Sequence, residues 1–196
     1  MGTRNLVAVY SKGVPVIAQY GQWDGHPSGQ GKTALEFCTA HLSTQAGRDA
    51  FKVKLTQCRW VTDEEIQDAH EAVGIKGGFM TMEQSKKLDQ ILPYLSRDIG
   101  ANILEMVRIS PVDVLLVNSI DFAGESLFCE FAYVVDLDRN TFEAYVGFQK
   151  SRTTGQRFSE FHGKGEYAPV KLAGSWNLDA LPDYDTFASE VATAGE

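Results

Sequence analysis

Leu127-Phe128-Cys129-Glu130-Phe131-Ala132-Tyr133-Val134-Val135-Asp136 is dense in aromatic and β-branched residues. Asp138-Arg139-Asn140 then supplies turn chemistry, and Phe142 to Phe148 returns with the same strand character. Two such runs about a turn predict a β-hairpin, the clearest in the chain. Working outward, the chain opens with the same arrangement: Leu6-Val7-Ala8-Val9-Tyr10, the turn Ser11-Lys12-Gly13, and Val14 to Tyr20. Val114 to Val117 and Val170 to Trp176 read as further strands. Strands joined by local turns pair antiparallel.

Between the hairpins the pattern becomes helical. Thr33-Ala34-Leu35-Glu36 has capping-box spacing and predicts a helix start, with Leu35, Cys38 and Leu42 along one stripe. A second amphipathic piece covers about Arg48 to Leu55. Thr62-Asp63-Glu64-Glu65 caps a helix carrying Ile66, Ala69 and Val73, which Gly74 stops. Thr81 to Gln84 caps another with Leu88, Ile91 and Leu92. Pro93 breaks it, and Ser96 restarts a helix through Ile99, Ile103, Leu104 and Val107. Asp183 to Val191 closes the chain as a helix. Strands, then helices, then strands again is an α+β order and not a repeated βαβ.

Composition narrows the classes. At 196 residues the chain fits one α+β domain, 1–196, and 43% hydrophobic with 11% aromatic residues supplies a core. Segment 151–166, rich in Gly, Ser, Thr and Arg, is the loosest part. A net charge of −8 works against a nucleic-acid partner, which needs clustered Lys and Arg. Cys38, Cys58 and Cys129 are odd in number and widely spaced, the pattern of a reducing compartment. Apolar runs such as Val114 to Val117 are too short to span a bilayer, no basic leader is visible, and Leu6 stands where a myristoylation signal needs Ser or Thr. The expectation is a cytoplasmic protein without membrane attachment.

Three motif-like strings fail on spacing. Ser28-Gly29-Gln30-Gly31-Lys32-Thr33 imitates a phosphate loop, but His26 occupies the position of the leading glycine. Asp136-Leu137-Asp138-Arg139-Asn140-Thr141 imitates a calcium loop, but Thr141 replaces its glycine and Gly147 its bidentate glutamate. Cys38 and His41 share a helix face without a second ligand pair, and His70 and His162 have no obvious partners. No metal and no cofactor is expected. More informative are Gln22, Trp23 and Asp24, just after a strand, where scaffolds present functional side chains. Glu130 sits inside an apolar run, and strand alternation would put Phe128, Glu130 and Ala132 on one face. If buried, its carboxylate needs a partner. Arg4 is the basic residue of the opening strand that could provide one.

Met1-Gly2-Thr3-Arg4-Asn5-Leu6, Ala18-Gln19-Tyr20-Gly21-Gln22-Trp23-Asp24-Gly25 and Pro27-Ser28-Gly29 resemble the opening of a family found in phages, bacteria and fungi that carries no assigned activity. Glu130 to Asp138 with Asn140-Thr141-Phe142-Glu143, and Pro169-Val170-Lys171-Leu172 with Asn177-Leu178-Asp179-Leu181-Pro182, resemble its later blocks. A more distant resemblance is to N-terminal nucleophile hydrolases of the bile-salt and penicillin amidase kind. These open with a short motif at the first strand, turn through a hairpin and soon place an Asp. Their later Asn-bearing strand resembles Val114-Leu115-Leu116-Val117-Asn118-Ser119. That resemblance implies an α-β-β-α sandwich, with Thr3, Arg4, Asp24 and Asn118 as candidate catalytic residues. Such an enzyme uses its first side chain as nucleophile and its α-amine, pKa about 8, as base. Removal of Met1 would leave Gly2, and only a cut exposing Thr3 would restore a nucleophile. The expectation is therefore such a scaffold without amidase chemistry, binding a small ligand or a protein through Arg4, Gln22, Trp23, Asp24 and Glu130. The alternatives are a small-molecule amide hydrolase, or a phage-type accessory protein that inhibits a host defence enzyme through its acidic surface.

Overall fold

In the computed structural model, residues 2–75, 80–162 and 166–194 are described. Positions 163–165 of the loose 151–166 stretch lie outside the described residues. Strand β1 (Asn5–Ser11) and strand β2 (Val14–Gly21) form the opening hairpin. Lys12 and Gly13 carry φ of 58° and 76°, two left-handed residues in succession, and such two-residue turns match the twist of the flanking strands. Strand β3 (Cys58–Trp60) and strand β4 (Val114–Leu116) pair as a short parallel ladder. Strands β5 (Phe131–Asp136), β6 (Thr141–Val146) and β7 (Lys171–Asn177) run antiparallel in sequence, with Asn140 in the tight turn at φ 56°.

The hairpins are antiparallel, as their turns require, but the sheet that unites them is mixed. Its order is β2-β1-β5-β6-β7, and β1 lies parallel to β5 with Asn5 opposite Phe131 and Tyr10 opposite Asp136. The expected antiparallel hairpins are present, and the parallel seam between them is an addition that the turns could not announce. A turn signal reports only neighbours in sequence, and this seam joins distant segments. The uninterrupted apolar runs of β1 and β5 fit strands covered on both faces, at the centre of a sheet.

Three boundaries also differ from the reading of the sequence. Helix α1 (Lys32–Phe37) is the middle of one helical stretch flanked by π-helical turns at Pro27–Gly31 and Cys38–Leu42, so Thr33 is not its cap. The stretch starts earlier because Pro27 fixes its own φ at the first helical position, and the His26 ring accepts the Ser28 N–H. Thr33 instead donates its hydroxyl to the Gly29 carbonyl, one turn back. Helix α5 (Asn102–Ile109) does not begin at Ser96, because Gly100 holds φ at 54° just before it. Finally, β5 begins at Phe131 and not at Leu127. Phe128 and Cys129 both donate their N–H groups to the Glu125 carbonyl at 2.8 Å, curling this stretch into a turn and removing Glu130 from the expected alternation.

Helix α2 (Gln45–Leu55) is capped by Thr44. Helices α3 (Asp63–Ala72) and α4 (Met82–Ile91) each carry the complete capping box read from Thr62/Glu65 and Thr81/Gln84. Helix α6 (Tyr184–Ala194) begins where the Asp183 carboxylate accepts the Thr186 N–H. One sheet face, with Val7, Val9, Ile17, Tyr133 and Phe142, packs on Leu35, Phe51, Leu104 and Phe187 of the helices. The opposite face, with Leu6, Ala8, Val134 and Tyr145, is covered by Ala123, Cys129, Phe158 and Val170. An α-β-β-α sandwich would place its second sheet there. Among the described residues that layer is the 3-10 turn Ile120–Gly124 and irregular segments, joined by Trp60 of β3. No helix among them is long and apolar enough to cross a membrane.

Candidate functional site

The parallel seam decides which residues meet. Because β1 and β5 start at the same end of the sheet, the residues just before them, Arg4 and Glu130, become neighbours. The N–H groups of Glu130 and Phe131 donate to the Arg4 carbonyl at 3.2 and 3.4 Å, and the Arg4 N–H donates to the Glu130 carboxylate at 3.1 Å. Glu130 thus does find its partner in Arg4, through the main chain and not through the guanidinium.

That guanidinium is left for other work. Its central carbon lies 4.6 Å from the centre of the Phe128 ring, and its Nε is buried without an acceptor. Among the described residues it has no carboxylate within ion-pair distance. Tyr20 stands close by. Its hydroxyl donates to Gln22 Oε1 at 2.6 Å and its ring meets Phe122 edge-on at 5.0 Å. Burial pushes the Tyr20 phenol up, against the opposing charges of Arg4 and Arg97. Gln22 therefore already has its side-chain oxygen occupied, while its N–H reaches the Arg97 carbonyl.

The following loop is pinned from below. Asn5, wholly buried, donates its amide to the carbonyls of Gly21 and Trp23 at 3.3 and 3.2 Å, leaving its own Oδ1 without a partner. The Gly25 N–H reaches the Thr3 carbonyl at 2.9 Å, and the Gly25 carbonyl receives the Tyr133 hydroxyl at 2.8 Å. Trp23 is half exposed. Its indole N–H donates to Asp98, and its ring lies so close over Gly2 that a Cβ there would collide with it. Asp24 is exposed at φ 53°, an outlier that aspartate tolerates better than most residues.

Asn118 lies just before the 3-10 turn Ile120–Gly124. Its carboxamide accepts the Ile120 N–H, and Ser119 next to it bonds to Ala18 of β2. Ala18 lies three residues, about 10 Å, along the strand from Gly21. Among the described residues no side-chain hydrogen bond joins Thr3, Asp24 or Asn118 to Arg4 or to one another. The sequence missed exposed apolar side chains in this region, of which Phe128 lies against Arg4. Leu127, Phe128 and Phe148 are all substantially exposed, and Phe148 is held at φ 58° by its N–H bond to the Ser126 carbonyl. A phenylalanine in this region is uncommon and points to a constraint beyond local preference.

At the other end of the sheet lies a polar cluster that the sequence reading also missed. Arg157, from the loose segment, donates from Nε and Nη2 to both oxygens of Glu143 at 2.9 Å and from Nη2 to Asp136 at 2.6 Å. Tyr145 donates to Glu143 at 2.6 Å, and the Tyr10 ring lies 4.2 Å beneath the guanidinium. The three charged side chains are only 5–9% exposed. Burial by itself would lower the Arg157 pKa, but its two carboxylates outweigh that and raise it. Burial, with Glu143 alongside, pushes the Tyr145 phenol up. The register held a usable signal, since it sets Asp136 and Glu143 on one face of a buried sheet, where they require a cation. The calcium-like reading of Asp136 is accounted for by this ion pair and by the N–H groups of Asp138 and Arg139.

This cluster predicts a pH dependence. Burial tends to raise the Asp136 pKa, but the Arg139 N–H and the Arg157 guanidinium together bring it below the ordinary 3.8. The folded state therefore binds this proton less readily than the unfolded chain. Its contribution is complete above the ordinary value and drains away as the pH falls through the folded one. Urea unfolding of the parent should weaken between about pH 5 and about pH 3 more steeply than that of Asp136→Asn. Equal slopes would remove Asp136 from the acid response.

The phosphate-loop-like string is helical. Lys32 pairs with Glu36 at 3.8 Å and lies over the Tyr184 ring, and a Cβ on Gly31 would meet the Tyr133 hydroxyl at 2.7 Å. Cys38 is fully buried, its thiol pushed up by burial, and His41 faces Glu105. Comparison with protein-family profiles, curated proteins and solved structures finds no match to the chain.

Proposed function

We propose that the protein is a binding protein whose site is the sheet end where β1 and β5 begin, and that it takes a small ligand carrying a carboxylate or phosphate beside an apolar or aromatic body. The observation that carries this reading is Arg4. A guanidinium over a half-exposed phenylalanine, with a buried Nε and, among the described residues, no carboxylate within ion-pair distance, is an incomplete arrangement. The Nε is too buried for a ligand to reach, but a charge-assisted hydrogen bond from the rest of the guanidinium to an arriving oxyanion would be worth about 1.5–3 kcal/mol. Leu127, Phe128 and Phe148 offer apolar surface for the rest of the ligand, and Trp23 adds an exposed indole at the same end of the sheet. Glu130, fixed by the Arg4 main chain, can accept a donor from the ligand.

Calorimetric titration with phenyl phosphate, against benzyl alcohol and benzylamine, tests the reading. Phenyl phosphate should bind saturably, and Arg4→Ala should weaken it by about 10–100-fold, the equivalent of a charge-assisted hydrogen bond. Phe128→Ala should weaken it by a smaller factor. Equal binding of all three compounds, or phenyl phosphate binding indifferent to Arg4, would refute the proposal.

A further inference from the structure

A cavity of about 460 Å³ opens at the far end of the first hairpin, away from Arg4. Its walls are Ser11, Val14 and Val16 of the hairpin together with Val53, Leu55 and Thr56 from the end of α2. Leu55 is buried and Val16 packs against the helix-side core, so the floor belongs to the core itself. Val14 and Val53 stand 54% and 66% exposed at the rim. The volume lies within the range of small-molecule sites, which are mostly apolar with a few placed polar groups.

The polar groups here carry a definite sign. Lys12 and Lys52 line the cavity, and among the described residues neither ammonium has a carboxylate within ion-pair distance. The third charged lining residue, Asp138, is already engaged, accepting the Gly13 N–H at 2.8 Å. That bond ties the hairpin tip to the β5–β6 turn and fixes the rim before any ligand arrives. Two unpaired cations at the mouth of an apolar cavity, in a chain of net charge −8, are complementary to an anion with a hydrocarbon tail.

From this juxtaposition we infer that the cavity is a second binding site, specific for an aliphatic carboxylate whose tail lies on Val14, Val16, Val53 and Leu55 and whose head pairs with Lys12 and Lys52. The inference is independent of the Arg4 site. The lysine stems can lie along the apolar wall while their ammonium groups stay in water, so one side chain serves both parts of the ligand.

Octanoate is the probe, followed by calorimetry and by displacement of the fluorescent anion 8-anilinonaphthalene-1-sulfonate, with octylamine and octanol as controls. The Arg4 site would itself accept a carboxylate beside an apolar body, so the titrations are made on Arg4→Ala. There octanoate should bind at one equivalent, and octylamine should not displace the dye. The Lys12→Ala/Lys52→Ala double variant should lose at least about tenfold in affinity. Val53→Asp, on an exposed position and verified as folded by circular dichroism, should abolish binding. Saturable octanoate binding by Arg4→Ala, in which the other site is disabled, separates this site from the other. Octylamine binding to Arg4→Ala as well as octanoate, or octanoate binding to Arg4→Ala that survives the addition of Val53→Asp, would overturn the inference. So would self-association of the chain that Val53→Asp abolishes without any octanoate binding, because the patch would then be covered by a second copy.

Discussion

Arg157→Met should cost the fold about 3–5 kcal/mol, the usual penalty for removing one partner from a buried ionic group. The substitution keeps most of the side chain's length and apolar packing, so the loss would report charge and not a cavity. What remains after it is two carboxylates on adjacent strands, Asp136 and Glu143, each about 5–6% exposed, with the guanidinium gone from between them. Glu143 would keep the Tyr145 and Thr141 hydroxyls, and Asp136 would keep two backbone N–H groups and a 3.8 Å pair with the largely exposed Arg139. These donors do not neutralise two like charges at short range. Urea unfolding at neutral pH measures the loss. Adding Asp136→Asn and Glu143→Gln to Arg157→Met should return a large part of it, since the charges would then be absent rather than unpaired. A loss under about 1 kcal/mol for Arg157→Met would mean that the cluster is solvated and contributes little.

The second large effect is expected at Tyr133. Its ring is fully buried at the centre of the sheet, 6.5 Å from Phe142 and 6.3 Å from Phe187 between ring centres, and its hydroxyl reaches past the core to the Gly25 carbonyl. Tyr133→Ala removes a core aromatic and should cost about 3–5 kcal/mol. Tyr133→Phe separates the two roles. It keeps the ring but orphans the Gly25 carbonyl, and should cost about 1–3 kcal/mol. Because that carbonyl belongs to the loop carrying Trp23 and Asp24, Tyr133→Phe should also speed amide exchange at Gly25 and Gln30 beyond what the global stability loss explains. Unchanged protection there, with Tyr133→Phe as stable as the parent, would show that the hydroxyl does not hold the loop.

Much of the architecture could be read locally because local chemistry specifies it. The capping boxes at Thr62/Glu65 and Thr81/Gln84 were identified from four residues each, since both partners lie within one helical turn. Both hairpins were found because their turns demand residues that tolerate left-handed backbone, as at Gly13 and Asn140. The same reasoning erred at Thr33, where a capping signature lies inside a helix that Pro27 had already begun, and at Leu127, where an apolar run curls before it extends.

The candidate site was legible only in part. Arg4 and Glu130 were paired from their types alone, but the contact runs through the backbone, which no side-chain argument could anticipate. Phe128 and Phe148 read as strand residues and not as exposed side chains, because exposure depends on what the rest of the chain leaves uncovered. Arg157 gave no warning at all. It sits in a polar stretch without periodicity, and its importance comes from two carboxylates contributed by other strands.

By itself, then, the order of residues determined the α+β class, the helices that cap themselves and the hairpins that turn on few residues, because each of those depends on interactions within a short span of chain. Only the tertiary structure decided that β1 lies parallel to β5, that the Arg4 guanidinium has no carboxylate within ion-pair distance among the described residues, and that a buried arginine neutralises two strands. Those outcomes follow from which distant surfaces exclude water together, and that depends on the whole chain closing at once.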